Sequence, residues 1–467
     1  MLPHSRLLHE RQAARARANF SLVAPPAAPS ATATHATDTA QLDLFGPGPS
    51  GAVDAPRIRP ADVTSAIDST PTIRPTPGTR TSGGATRTTT TWTTSSERVP
   101  SADGSDAAFS SGELVAAYLD CRRAKRTTAA ALAFEVDQEA RLLDLEARLR
   151  EGRYRPAPSI CFVVTRPKPR EVWAAAFEDR VVHHLLHRKI APRFERAFIA
   201  DTCACIAGRG TLYAARRLDS KVRAATAHWT RRAFYLKADL ANFFPSIDKR
   251  ILGDLLAARI PEPWWRSLAL QVLHHDPRPD ADVRGARDRL ALIPREKSLF
   301  GQPAHRGLPI GNLSSQFGAN VYLDQLDQFV KHRLRARHYV RYVDDFILLH
   351  DDPAQLNAWL REIEAFVEQR LHVRVNPRKT ILQPIERGVD FCGHLILPHR
   401  RLVRRRTLRA ALHRLATMPA AGVAEAATSY LGMARQASHG ARDRARIANA
   451  ARRRGHAVDH RLTKVYA

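Results

Sequence analysis

The chain has 467 residues, with 73 Lys or Arg against 46 Asp or Glu, a formal net charge of +27 and a pI near 10.9. A balance this basic predicts a polyanionic partner. Five scattered cysteines exclude a disulfide framework and fit a reducing cytosol, and no run nears the roughly 18 apolar residues of a membrane span.

Residues 1–110 hold ten Arg and nine Asp or Glu, so almost all of the positive charge belongs to the rest of the chain. Ala, Ser, Thr, Pro and Gly dominate 21–110, including the run Thr88–Thr94 broken only by Trp92. Such a segment buries too little apolar surface to offset its ordering entropy and is expected to be disordered. Its densest apolar cluster is Gln41-Leu42-Asp43-Leu44-Phe45. The first twenty residues carry Arg as a transit peptide does, but Glu10 argues against one and no secretory apolar core is present; a cytoplasmic location is expected.

Helical periodicity begins near residue 112, with Leu114 and Tyr118 and then Leu142, Leu143, Leu145 and Leu149. In Arg166-Pro167-Lys168-Pro169-Arg170, Lys168 and Arg170 alternate on one face of a predicted strand, a spacing suited to neighbouring phosphate oxygens. Cys203 and Cys205 lack a second pair at zinc-site spacing and are expected to be small buried residues. Over 234–239, Phe234, Leu236 and Ala238 alternate with Tyr235, Lys237 and Asp239, which predicts a strand ending with Asp239 on its polar face. Asn242 and Pro245 then supply turn and helix-start signals.

Residues 339–350, Tyr-Val-Arg-Tyr-Val-Asp-Asp-Phe-Ile-Leu-Leu-His, predict a hairpin whose tight turn carries Asp344 and Asp345. Adjacent carboxylates share a small space at low cost only with a cation between them. Together with the strand-end acid Asp239 they can hold two Mg²⁺ ions roughly 3.5–4 Å apart. Asp352-Pro353 starts a helix whose stripe of Leu356, Trp359, Leu360, Ile363, Phe366, Val367 and Leu371 is core. Arg400, Arg401, Arg404, Arg405, Arg406 and Arg409 follow as a basic cluster.

Five segments in order resemble the motifs of bacterial reverse transcriptases, across nearly all of 112–440. They are the Asp239 segment, Gly307–Gln316 with Ala319–Leu323, Tyr342–Asp345, Asn376–Thr380 and Val389–Gly393. The resemblance implies an α+β right-hand polymerase. Its parts would be a disordered tail (1–110), fingers (111–232), a palm with an antiparallel sheet (233–396, with a finger insertion about 261–304) and a short helical basic thumb (397–467). It implies RNA-directed DNA synthesis from a DNA or RNA primer on a template RNA, with dNTPs as substrates. The metal ligands would be Asp239, Asp344 and Asp345, holding two Mg²⁺, with Mn²⁺ as a substitute.

Further roles follow from the same resemblance. Lys168 and Arg170 would sit in a fingers hairpin over the triphosphate, and Gln316 in the motif that grips template and nucleotide. Phe244, five residues past Asp239, would exclude a 2′-hydroxyl. Lys379 would act as a general acid toward pyrophosphate or neutralise its charge. Relatives usually carry a basic residue where this chain has Ile206, and Arg209 is the candidate to compensate.

Within the family, Ile310-Gly311 followed by Ser315-Gln316 replaces the usual Gln-Gly-x-x-x-Ser-Pro and is similar to diversity-generating retroelement enzymes. These copy a template RNA with errors at adenines and work with a small basic accessory protein. The rivals are a retron, group II-like or antiphage-defence reverse transcriptase, a template-independent nucleotidyltransferase, and an RNA-binding scaffold without catalysis. Retron thumb signatures are not found, and 67 residues after Arg400 do not suggest group II DNA-binding regions. Gln41, Leu42, Leu44 and Phe45 resemble the peptide by which bacterial repair proteins dock on the DNA sliding clamp.

Overall fold

The structure, a computed structural model, describes residues 108–123, 128–165, 168–285 and 288–466. The expected tail, with Gln41, Leu42, Leu44 and Phe45, lies outside the described residues. Helices α1 (Ser111–Arg122), α2 (Ala129–Glu135) and α3 (Gln138–Arg150) come first. The start of α1 is set by a reciprocal cap: Ser110 Oγ accepts the Glu113 N–H at 3.2 Å, and the Glu113 carboxylate accepts the Ser110 N–H at 2.8 Å. Leu114, Tyr118, Leu142, Leu145 and Leu149 turn inward as their spacing predicts, whereas Leu143 is 61% exposed.

A hairpin of β1 (Ile160–Val164) and β2 (Arg170–Ala174) follows, with Val164 opposite Arg170. Arg170 thus opens a strand, while Lys168 lies in the connecting turn; the expectation that both share a strand face is corrected here. Pro169 between them explains the difference, because it gives the ladder no N–H and delays strand pairing until Arg170. Next come α4 (Phe177–Glu195), α5 (Thr211–Ala225), β3 (Phe234–Asp239), the single turn α6 (Phe243–Ser246), α7 (Lys249–Ala257) and α8 (Pro263–His274). Strand β4 (Asp282–Arg284) pairs parallel to β1, and α9 (Asp288–Ala291) and α10 (Leu313–Gln328) lead to the hairpin of β5 (His338–Tyr342) and β6 (Asp345–His350).

After α11 (Pro353–Leu371) and β7 (Ile381–Pro384), the central sheet is complete. Its order is β5-β6-β3-β7, with every neighbour antiparallel. Asp352 Oδ1 accepts the Ala354 N–H at 2.8 Å and Pro353 opens α11, as the sequence predicts. Leu356, Trp359, Ile363, Val367 and Leu371 are buried; Leu360 and Phe366 are half-buried, and the Phe366 ring stacks on Phe329 at 4.2 Å. Helices α10 and α11 together cover one side of the sheet, and one hydrophobic core runs from α1 to Ile396.

A second, three-stranded antiparallel sheet has β9 (His394–Leu397) between β8 (Val389–Phe391) and β10 (Arg400–Val403). It alters one expectation: Tyr235, Lys237 and Asp239 do share a face of β3, but all three are buried. The Lys237 ammonium donates to the Asp390 carbonyl at 3.1 Å, so the polar face lies under β8 rather than in water. The chain ends in α12 (Arg405–Thr417), α13 (Val423–Arg435), α14 (Ala441–Arg452) and the short pair β11 (Ala457–Val458) and β12 (Val465–Tyr466). These pack around their own core, which includes Val403, Leu408, Leu415, Val423, Leu431 and Ile447.

Candidate active site

The ladder between β3 and β6 ends with Asp239 opposite Asp345, and the ladder between β5 and β6 ends with Tyr342 opposite Asp345. Val343 and Asp344 therefore form a two-residue turn, and Asp344 leads directly into the strand that faces Asp239. Directly opposed residues on one sheet face have Cβ atoms about 4.5–5.5 Å apart, so register alone brings Asp239 and Asp345 together. Val343 adopts φ +55°, an uncommon backbone for a β-branched residue.

Crowding marks the electrostatics of the three acids. Asp344 is pushed up to about 7, first by burial and then by the Asp239 and Asp345 carboxylates. Asp239 is also raised, chiefly by burial, with the Lys379 hydrogen bond opposing and Asp345 adding to the rise. Asp345 Oδ1 is buried without a hydrogen-bond partner, an expensive state for a carboxylate oxygen. Positive charge comes from Lys379, whose Nζ lies 2.7 Å from Asp239 Oδ1, and from Lys237, 3.9 Å from Asp345 Oδ2. A 3₁₀ turn, Pro377–Lys379, delivers Lys379; it is anchored by Asn376, whose N–H donates to the Asp239 carbonyl at 2.8 Å.

Among the described residues, no three His, Cys, Asp or Glu form a finished metal cage. The donor chemistry nonetheless fits a hard cation. The oxygens are all carboxylate, one of them is buried and unpartnered, and the neighbouring carboxylates raise the proton affinity of Asp344 and Asp239. The thiol beside them, Cys392, is kept protonated by burial and by the Asp345 carboxylate, so it offers no thiolate that would select zinc.

Opposite the acids stands a cationic wall. Lys168 has its pKa lowered by burial and then by Lys379, Lys297 and Arg170, while Asp239 works in the other direction. Lys297 was not legible in the sequence, where it sits in a stretch without a motif. It is delivered through Glu171, the neighbour of Arg170, whose carboxylate accepts the Ser298 hydroxyl at 2.5 Å and the Leu299 N–H at 3.0 Å. Both contacts hold the 3₁₀ turn Arg295–Lys297 beside the β1–β2 hairpin.

Between acids and hairpin runs the 307–316 segment. The Ile310 carbonyl accepts the Trp173 N–H at 2.7 Å, and Asn312 Oδ1 accepts the Ala175 N–H at 3.2 Å, which clamps the segment to β2. Gly311 has φ +125°, and a Cβ there would meet the Trp173 carbonyl oxygen at 2.5 Å, so a side chain is excluded on both counts. Phe244 is buried against Phe243, ring centroids 5.5 Å apart, and its carbonyl accepts the Leu308 N–H at 3.0 Å. Gln316 is buried near the start of α10 with its Nε2 unpartnered.

Three basic residues from the sequence reading are otherwise engaged. Arg209 donates to the Ile199 and Thr202 carbonyls at 2.9 and 3.1 Å, so it braces its own loop instead of replacing the cation lost at Ile206. Arg404 pairs with Asp390, and Arg401 donates to the Gln436 carbonyl at 2.9 Å; both are buried. Cys203 is buried and Cys205 half-buried, both as free thiols, as expected. No helix among the described residues is long and apolar enough to cross a membrane.

Comparison with known proteins adds three findings. Residues 167–396 match the family model described as reverse transcriptase (RNA-dependent DNA polymerase). Protein YkfC of Escherichia coli (strain K12) is 24% identical over 309 residues, which cover 59% of this chain and 74% of that protein. A telomerase chain from Candida albicans, solved with a fragment of telomeric RNA, superposes with a TM-score of 0.38 at 12% identity. That superposition covers 60% of this chain and 54% of the telomerase chain, too loose a likeness to add to the assignment. The match to the family model spans the sheet that carries the three acids, the 307–316 segment and strand β2 of the hairpin, and the fold has the expected mix of helices and antiparallel sheet. The chain carries a reverse transcriptase domain, the domain of RNA-directed DNA polymerases.

Proposed function

We propose that the chain synthesises DNA on an RNA template by two-metal phosphoryl transfer, with Asp239, Asp344 and Asp345 as the ligands of two Mg²⁺ ions. One observation carries this reading: the antiparallel register sets Asp239 against Asp345, with Asp344 in the adjoining turn. Bound there, divalent ions would ease deprotonation of the primer 3′-hydroxyl and take up charge on the leaving pyrophosphate, and Mn²⁺ would substitute.

The chain's own residues supply the rest. Lys168 and Arg170, joined by Lys297, neutralise the triphosphate and hold it in line. Lys379 balances Asp239 in the absence of substrate and serves the pyrophosphate in its presence. Phe244 closes the space that a ribose 2′-hydroxyl would need, and Gly307 and Gly311 let the backbone lie close to the nascent pair. The fingers would be 111–232, the palm 233–396 and the thumb 397–467. The free arginines of α12 (Arg405 and Arg409) would track the duplex backbone, with affinity falling steeply as salt rises.

For biological role, the Ile310 and Gln316 substitutions favour a diversity-generating retroelement enzyme, in which an apolar residue near the nascent pair relaxes control of pairing at template adenines. An accessory protein, small and basic, would be its partner. The first test is extension of oligo(dT) on poly(rA) with dTTP and Mg²⁺. Product is expected with template and none without it; product without template would favour a template-independent nucleotidyltransferase. Sequencing cDNA made on a defined RNA then tests the role: errors concentrated at adenines support it, and uniform fidelity rejects it.

A further inference from the structure

Beside the acid turn lies a buried polar cluster that no step above uses. The Arg341 side chain is 1% exposed and that of Asp327 is fully buried. Arg341 Nε and Nη2 donate to Asp327 Oδ1 and Oδ2 at 2.7 and 2.6 Å, a two-pronged pair. The Tyr339 hydroxyl donates to Asp327 Oδ1 at 2.7 Å and the Thr202 hydroxyl to Oδ2 at 2.6 Å, so the carboxylate has four donors. Arg341 Nη1 remains for other work. It donates to the Val343 carbonyl at 2.9 Å and to Asn320 Oδ1 at 3.3 Å, while the Asn320 amide is tied to the Ala204 carbonyl at 2.7 Å.

Val343 is the residue held in the left-handed region, and it immediately precedes the two acids. A β-branched residue persists there only when its surroundings over-determine the backbone, and such strain gathers at working sites. A buried ion pair alone is weak support for a fold, since apolar residues of similar volume often do as well. Arginine offers something apolar residues and lysine do not. Its planar fork grips one carboxylate with two N–H groups and still aims a third at a carbonyl two residues ahead. We infer that Arg341, clamped by Asp327, is the positioning residue of the acid turn: it fixes Val343 in the left-handed backbone that aims Asp344 and Asp345 at Asp239. The inference rests on the reading of those three acids as metal ligands.

The test measures Mn²⁺ binding to the nucleotide-free full chain by electron paramagnetic resonance, with melting temperature recorded for each variant. Arg341→Lys keeps a charge for Asp327 but loses the fork. It is expected to weaken Mn²⁺ binding at least fivefold and to lower kcat for primer extension by tenfold or more. Adding Val343→Gly should restore at least half of the lost affinity, because glycine holds positive φ without help. Should Arg341→Lys fail to fold, the neutral pair Arg341→Gln with Asp327→Asn leaves no charge unpaired and carries the same two expectations.

Wild-type Mn²⁺ affinity in a folded Arg341 variant, or loss of affinity that glycine at 343 does not relieve, overturns the inference. Asp344→Asn, measured alongside, separates the two readings. If it binds Mn²⁺ as wild type does, the assignment of the acids fails. If it loses Mn²⁺ while Arg341→Lys does not, only the positioning role fails.

Discussion

Two anionic centres flank Arg341, and their chemistry is opposite. Asp327 is buried with every lone pair in use, accepting from Arg341 twice, from Tyr339 and from Thr202. Asp344 and Asp345 stand against a third carboxylate, one oxygen of Asp345 has no donor, and Asp344 is driven up to about 7. The first centre is satisfied by the protein, so it can only hold structure. The second keeps a carboxylate oxygen without a partner and a raised proton affinity even with Lys379 and Lys237 beside it, which is what the proposed role of metal ligand calls for. Asp239 is buried much as Asp327 is, and the two turn acids are half-buried; what separates the centres is the supply of partners.

The largest effect that could break this contrast is on catalysis. Asp344→Asn or Asp239→Asn should lower primer extension roughly 10³-fold or more, as expected when several kcal/mol of metal-borne stabilisation are lost. Thermal stability should hold or rise, because one of three repelling carboxylates is gone. Asp327→Asn should do the reverse to the fold. It leaves the Arg341 guanidinium buried with a weakened partner, at a cost of about 3–5 kcal/mol in a urea titration. A stable Asp327 variant, or a strongly destabilised Asp344 variant, would erase the distinction between the two centres.

The meeting of the three acids was legible in the sequence and the Arg341–Asp327 pair was not, for a physical reason. Asp239 ends a strand whose two-residue alternation is written in the chain, and Asp344 and Asp345 stand at the tip between two apolar runs that read as a hairpin. Arg341 belongs to the same short segment but reads as an ordinary strand cation; its partner Asp327 lies 14 residues upstream on a helix face that also carries Asp324. Lys297 was hidden likewise, since only the Glu171 contacts with 298 and 299 place it. The basic cluster from Arg400 to Arg409 reads as one charged surface, yet Arg401 and Arg404 are buried in pairs and only part of it faces outward. Local periodicity survives in sequence; pairing across elements does not.

Substrate selection sharpens the contrast at smaller scale. Phe244→Ala should reduce discrimination against ribonucleotides by up to about 10²-fold, the range over which an apolar wall rejects an added hydroxyl. Because Phe244 is buried, the variant should also lose about 3–5 kcal/mol of stability. Competition between dTTP and UTP on poly(rA) measures the first quantity independently of the second. Unchanged selectivity would remove Phe244 from the nucleotide site and leave it as core.

The cationic wall should give the smallest single effects, because its members oppose one another. Lys168→Ala removes a charge-assisted contact at an exposed position, worth about 1.5 kcal/mol, so the KM for dNTP should rise roughly tenfold. Lys297→Ala removes a contact of the same kind but also relieves Lys168, whose charge Lys297 disfavours. Its KM should rise less, and the double variant should exceed the sum of the two free-energy changes, since the relief in the single variant has no recipient once Lys168 is gone. Strict additivity would mean that the two ammonium groups do not meet at one phosphate chain. The wall would then be a general attractor for nucleic acid, unlike the acid turn it faces, where each charge has one assigned place.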